Sequence, residues 1–195
     1  MLDYEQKYYD EGLILVAGVD EAGRGPLAGP VCVASVIMPQ SPVIEEINDS
    51  KKLSEKKREK LFDDIINTAI CYKIELIDNH TIDEINILNA TKLGMKRCIE
   101  NMEIIPEIAI IDAVKIDTEI PTDSIIKGDA LSYNVAAASI LAKVTRDRLM
   151  VELDSKYPEY NFKKHKGYGT KEHIEALKKH GKCEIHRDSF IGNFV

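Results

Sequence analysis

The sequence has no CxxC pair, no basic leader, no membrane-length apolar run and no excess of positive charge, and each absence removes a class of protein. Its four cysteines, Cys32, Cys71, Cys98 and Cys183, lie far apart, which argues against a zinc knuckle, a dithiol redox site and a secreted disulfide framework. The opening MLDYEQKYYDEG is acidic where an export or mitochondrial signal is basic, and the longest apolar runs, residues 13–17 and 31–38, fall well short of a membrane span. A cytoplasmic protein that does not engage membranes is expected. Internal repeats, low-complexity tracts and Gly/Ser/Pro linkers are also missing. A chain of 195 residues can bury its own core, so one domain is expected, with a core over about residues 1–155 and a basic C-terminal extension over about 156–195.

What is present is unevenly distributed. The net charge is −7 and the pI about 5.3, which on their own argue mildly against a nucleic-acid protein. Residues 161–187, however, hold eight Lys/Arg against three Asp/Glu, with His165, His173, His180 and His186 among them, and residues 51–60 hold six basic residues against two Glu. Two basic islands lie on an acidic body.

Apolar, β-branched segments at residues 13–19 and 31–38, separated by a Gly/Pro-rich connection, predict two adjacent strands, and residues 71–77 alternate as a third. The short apolar runs at 107–112 and 124–126 resemble central parallel strands. Ser54 is a good cap for a helix over 54–68. Residues 81–84, TIDE, have a capping-box pattern for a second helix, and Val135, Ala138, Ala142, Thr145 and Leu149 mark one face of a third. The pattern is α/β, antiparallel at its start and parallel at its finish.

Acids close several of these strands. Asp20 and Glu21 end the first, followed by Gly23-Arg24-Gly25; Asp112 ends the fourth; Asp129 follows Gly128 just before the long helix. Successive strand residues face opposite ways, so Glu21 is expected to join Asp20 through a backbone turn at the glycines. Four gathered carboxylates without a basic partner repel, and hard divalent cations, Mg²⁺ or Mn²⁺, are the usual resolution; a pair of them is the recurring apparatus of phosphodiester hydrolysis. No His accompanies these acids, which disfavours zinc. A solvated hairpin bearing surface acids is the plainer alternative.

Three further stretches suit nucleic acid. Glycines at 23 and 25 allow a backbone to approach a sugar-phosphate chain closely, with Arg24 in reach of a phosphate. Ser50 and Lys51 precede a helix start, a natural phosphate site, although the same residues could be a solvated cap. Tyr168, between two glycines in KKHKGYGT, could lay its ring on a sugar or base, or belong to a mobile loop. Ser139 and Lys143, one helical turn apart, could reach phosphate or bond within the protein.

These residues resemble the bacterial ribonuclease HII family, in VAGVDEAGRGPLAGPVCVASV (16–36), DSKKLS (49–54), IIDA (110–113), IIKGDALSYNVAAASILAKVTRDR (125–148), HKGYGT (165–170) and HRDSF (186–190). The GRG tripeptide favours type HII over type HIII. The resemblance implies a ribonuclease H-like fold: a mixed five-stranded sheet flanked by helices, with a C-terminal helical region walling the substrate cleft. It implies cleavage of the RNA strand of RNA/DNA hybrids, and 5′ of ribonucleotides embedded in duplex DNA, with two divalent ions on Asp20, Glu21, Asp112 and Asp129. It also implies that the backbone of Gly23, Arg24 and Gly25 reads 2′-hydroxyls, that Tyr168 packs on the deoxyribose beyond the junction, and that Ser50 and Lys51 bind phosphate. Ala113 stands where the family often has Gly, and Tyr133-Asn134-Val135 replaces smaller residues. A monomer without a clamp-binding tail is expected. Another ribonuclease H-like nuclease, such as a junction resolvase, or a noncatalytic nucleic-acid binder, are the alternatives; the latter would need no divalent ion.

Overall fold

The computed structural model describes residues 2–47, 50 and 53–194. A five-stranded sheet of order β3-β2-β1-β4-β5 organises them, with β1 Val16–Ala22, β2 Val31–Ile37, β3 Cys71–Ile77, β4 Ile108–Asp112 and β5 Thr122–Ile125. β1–β2 and β2–β3 pair antiparallel; β1–β4 and β4–β5 pair parallel. The mixed α/β sheet expected from the sequence is present. Because β1 and β4 run the same way, Asp20 and Asp112 lie at the same end of the sheet.

Strand alternation divides the core into two layers. Ala17, Val19, Val33, Ile37, Ala109 and Ile111 pack with Met95, Cys98 and Ile99 of α3 (Asn79–Glu100). Cys32, Ala34 and Val36 pack on the other face with Leu61 and Ile65 of α2 (Glu55–Thr68) and with α5 (Tyr133–Lys156). Ser54 caps α2 as expected, accepting from Lys57 N–H.

Other local expectations need correction. The capping box at Thr81 is not used: α3 starts at Asn79, because the Asp78 carboxylate already accepts from Thr81 N–H at 2.7 Å and so fixes the helix start earlier. Asn86 breaks α3 with φ 64°, and its Oδ1 accepts from Asn89 N–H to restart the helix. α5 does not bury a single face; every residue from Tyr133 to Ala142 is buried, because the first half of the helix lies against the sheet and beneath α1 (Asp3–Asp10). α1 was not anticipated. Its Glu5, fully buried, accepts from Ser132 Oγ at 2.5 Å and Asn134 N–H at 2.9 Å and so fastens the start of α5.

Beyond α5, α6 (Phe162–His165), α7 (Lys171–His180) and α8 (Asp188–Ile191) enclose a third apolar cluster that includes Leu27, Ala28, Met150, Tyr160, Phe162 and Leu177. The basic island here is less basic at its surface than its composition suggests. His165, His173, His186 and Arg187 are buried, and Lys163, Lys164 and Lys182 pair with Asp154, Glu172 and Asp188. No helix among the described residues is long and apolar enough to cross a membrane.

α5 approaches β1 closely at Gly18. A Cβ there would lie 2.0 Å from Asn134 C and 2.2 Å from Val135 N, backbone atoms with no rotamer to yield. Gly18→Ala is therefore expected to cost about 3 kcal/mol. Urea unfolding measures it, and a loss under about 0.5 kcal/mol would contradict this packing.

Candidate active site

A cavity of about 220 Å³ opens where the carboxyl ends of β1 and β4 meet α5. Asp20, Glu21, Gly23, Ser50, Asp112, Ser139, Lys143 and Tyr168 line it, together with Arg58, which the sequence reading did not single out. Eight of the residues expected to act thus share one space. Asp129, buried in α4 (Gly128–Leu131), is not among the lining residues, but its charge acts on Asp20. Lys51 falls outside the described residues.

The turn expected at the glycines is present, but it does not lie between Asp20 and Glu21. β1 continues through Ala22 in register with β2, Glu21 opposite Val33, and the left-handed turn comes later, at Gly23 (φ 95°). Both side chains nevertheless line the cavity, because it wraps the strand end.

Asp20 Oδ1 accepts from Glu21 N–H at 2.8 Å, and Asp112 Oδ1 accepts from Gly128 N–H at 2.7 Å, which ties β4 to the start of α4. Burial pushes the Asp20 carboxyl well above the usual carboxylate range, and the charges of Glu21, Asp112 and Asp129 push the same way. Burial also raises Glu21, against the opposing pull of Arg24. The acids are therefore not wholly without a basic partner, since Arg24 Nη1 stands 3.4 Å from Glu21 Oε1. Glu21 Oε2 is buried without a hydrogen bond from any described residue.

Two buried arginines that the sequence reading left among the motifs form the floor of the Gly23-Arg24-Gly25 turn. Arg187 donates to the carbonyls of Gly23 (2.6 Å), Arg24 (2.9 Å) and Gly29 (2.9 Å). Arg146 donates to those of Ala28 (3.0 Å), Pro30 (2.9 Å) and Lys166 (2.9 Å). A Cβ on Gly23 would lie 2.0 Å from Arg146 Nε, so glycine is required by the guanidinium beneath it as well as by its φ. Glycine alone lets the turn settle onto that charge.

On the other rim, Arg58 Nη1 donates to Ser50 O at 3.0 Å and to Leu53 O at 2.5 Å, holding Ser50 at the cavity. Ser139 Oγ donates to Ala136 O at 2.8 Å, and Lys143 Nζ lies 2.7 Å from Asp147 Oδ1. Tyr168 is 43% exposed, and a Cβ on Gly25 would lie 3.8 Å from its ring.

The sequence profile of the family described as Ribonuclease HII matches residues 17–193. The chain belongs to the ribonuclease HII family. The Ribonuclease HII of Acetivibrio thermocellus is 58% identical over 196 residues, covering 100% of this chain and 77% of that protein. Among solved structures, the ribonuclease H2 of Pyrococcus horikoshii OT3 superposes with a TM-score of 0.76 at 30% identity, covering 89% of this chain and 92% of that one. The ribonuclease HII of Archaeoglobus fulgidus, solved as a complex with PCNA, gives 0.71 at 26% identity, covering 89% and 94%. The fold is ribonuclease H-like, and the protein is a ribonuclease H endonuclease of type HII.

Ribonucleases HII depend on divalent metal, and the donor chemistry here fits a hard divalent cation. Among the described residues the cavity carries carboxylates and no His or Cys and one buried carboxylate oxygen has no hydrogen-bond partner, and like charges crowd Asp20. No three His, Cys, Asp or Glu side chains among the described residues are already gathered around one point as ligands.

Like-charge crowding has a signed consequence. A carboxyl raised on folding contributes stability below its unfolded pKa and loses it as pH rises through the folded value. In chelator, Asp20→Asn is therefore expected to melt above wild type at pH 8, with the gap closing toward pH 4. Differential scanning fluorimetry reads this directly; a variant that melts below wild type at pH 8 would refute the crowding.

Proposed function

We propose that this enzyme hydrolyses the RNA strand of RNA/DNA hybrids and cuts on the 5′ side of ribonucleotides embedded in duplex DNA, leaving 5′-phosphate and 3′-hydroxyl ends. The observation that carries the reading is the sharing of one cavity by Asp20, Glu21 and Asp112 with Gly23 and Tyr168. Asp20, Glu21, Asp112 and Asp129 would hold two divalent ions, Mg²⁺ or Mn²⁺. Bound there, such ions supply a water of lowered pKa and stabilise charge on the leaving oxygen.

The remaining steps belong to the chain. Arg187 fixes the carbonyls of Gly23 and Arg24 from behind, so the turn is rigid before a ribose arrives and reads the 2′-OH through its remaining backbone N–H and lone-pair positions. A site that satisfies that hydroxyl rejects a sugar lacking it, because its buried polar groups would go unpaired. Tyr168 packs on the neighbouring deoxyribose, where a 2′-OH would crowd the ring. Ser50, Lys51, Ser139 and Lys143 contact phosphates, Lys143 by exchanging its bond with Asp147. Residues 156–195 act as the substrate-binding extension of the core. The enzyme works as a cytoplasmic monomer in ribonucleotide and primer removal.

The test is cleavage of a DNA duplex with one embedded ribonucleotide, with Mg²⁺ or Mn²⁺, beside a continuous hybrid. Wild type should cut once, 5′ of the ribonucleotide; Asp20→Asn and Asp112→Asn should be inactive on both. Tyr168→Ala should lose about 5- to 150-fold on the single ribonucleotide, the equivalent of ~1–3 kcal/mol of stacking, and less on the hybrid. Full activity of either Asn variant, or an unchanged substrate preference in Tyr168→Ala, would overturn the corresponding assignment.

A further inference from the structure

Behind Tyr168 lies a chain of buried imidazoles that the proposed chemistry does not use. His173, fully buried in the first turn of α7, places Nδ1 2.9 Å from Tyr168 O and Nε2 3.0 Å from His186 Nε2. His186 in turn receives the backbone N–H of Cys183 on Nδ1 at 2.9 Å. Each of these contacts restricts the proton on the next ring. A carbonyl only accepts, so His173 carries its proton on Nδ1 and presents a bare Nε2; His186 must then donate from Nε2, which leaves its Nδ1 bare for the Cys183 amide. The opposite assignment would face a lone pair with the Tyr168 carbonyl and an N–H with the Cys183 N–H. This neutral arrangement satisfies the contacts to Tyr168 O and Cys183 N–H, while the Cys183 carbonyl, 3.3 Å from the same His186 Nδ1, takes its hydrogen bond from the His186 backbone N–H at 3.1 Å.

We infer that His173 and His186 are positioning residues, a neutral pair with one permitted tautomer each, whose hydrogen bond to the Tyr168 carbonyl holds the Tyr168 ring at the cavity. The loop around that ring is fixed at every carbonyl from His165 to Tyr168. His165 O accepts from Tyr168 N–H (2.9 Å), Lys166 O from Arg146 (2.9 Å), Gly167 O from Leu27 N–H (2.8 Å), and Tyr168 O from Thr170 N–H (2.8 Å) besides His173. Of these, only the imidazole bond depends on the His173–His186 pair, whose own contacts protonation breaks. A second proton on either ring turns the His173–His186 contact or the His186–Cys183 contact into two facing donors.

The surroundings favour neutrality. The start of α7, with its positive dipole end, adjoins His173; His165 stacks on it at 4.6 Å, and the Tyr160 and Phe162 rings cover both members of the pair. The charged neighbours are Asp188 and Lys182 near His186, and Asp154, Glu172 and Lys164 around His165. Burial, with His173 alongside, lowers His186 to about 4, and burial lowers His173 as well. Histidines depressed on folding contribute stability that is complete above their unfolded pKa, near 6.5, and lost as pH falls toward the folded value, so the pair holds at neutral pH and fails on acidification.

The inference rests on the reading of Tyr168 as the junction-facing ring, and the experiment separates the two. Nitrogen-15 imidazole spectra of the whole protein at pH 7.5 should show His173 protonated on Nδ1 and His186 on Nε2, unchanged to about pH 5. His173→Ala should shift the Tyr168 ring resonances and lower the preference for a single ribonucleotide over continuous hybrid by the same factor as Tyr168→Ala. His173→Asn, whose amide N–H can stand where Nδ1–H stood, should restore both. The opposite tautomers, a charged pair at pH 7.5, or ring resonances unmoved in His173→Ala would overturn the inference. So would an unmoved preference in His173→Ala if Tyr168→Ala does change it. If the ring moves in His173→Ala but Tyr168→Ala leaves the preference intact, the positioning stands and the junction role of Tyr168 is what fails.

Discussion

The burial of two guanidinium groups, Arg146 and Arg187, against six backbone carbonyls is the constraint on which the site depends. Among the described residues, neither satisfies its donors with a carboxylate. Burial, with the Arg146 charge nearby, lowers Arg187 to about 9, and burial lowers Arg146 too, so the cost of keeping two cations out of water is real. Hydrogen bonds from a charged donor, each about 1.5–3 kcal/mol, offset it. Because the accepting carbonyls belong to residues 23–30 and 166, the two arginines join the β1–β2 connection to the C-terminal region. Sheet and extension become one rigid frame around the turn.

The same arrangement sets the electrostatics. Carboxylates whose ionisation is opposed by burial stand at the front of the cavity, and fixed positive charge stands behind the turn, in a protein whose net charge is −7. A phosphodiester entering between them meets cationic support on the side of the turn and, opposite, oxygens suited to divalent cations. An acidic protein can therefore engage a polyanion without a basic surface overall, since the field is local and shielded from bulk solvent.

Much of this was legible in the sequence because it depends on local pattern. The five strands and the helix over 54–68 follow from apolar runs and turn residues, and Asp20, Glu21 and Asp112 drew attention because acids closing buried strands are costly. Missed features depend on tertiary placement. α1 has tyrosines where a helix usually shows aliphatic residues, and Tyr8 and Glu5 reveal themselves as buried only once β5 and the start of α5 lie beside them. Arg187, His173 and His186 look like members of a basic island, and Arg146 like any charged helix residue, because composition cannot distinguish a solvated cation from one satisfied by carbonyls up to 164 positions away. Arg58 is hidden for the same reason within its own island. HRDSF and the TRDR stretch were visible as motifs, but their chemistry was not, since a motif names residues without saying which atoms they meet.

The central claim, that a buried guanidinium pre-organises the Gly23-Arg24-Gly25 turn, is tested most directly by Arg187→Lys, which keeps the charge but cannot reach three carbonyls as a planar fork does. Steady-state cleavage of a duplex with one ribonucleotide should show kcat reduced at least about 10-fold while far-ultraviolet circular dichroism stays native, about 1.4 kcal/mol of lost transition-state stabilisation. A folded Arg187→Lys enzyme with wild-type kcat would contradict the account.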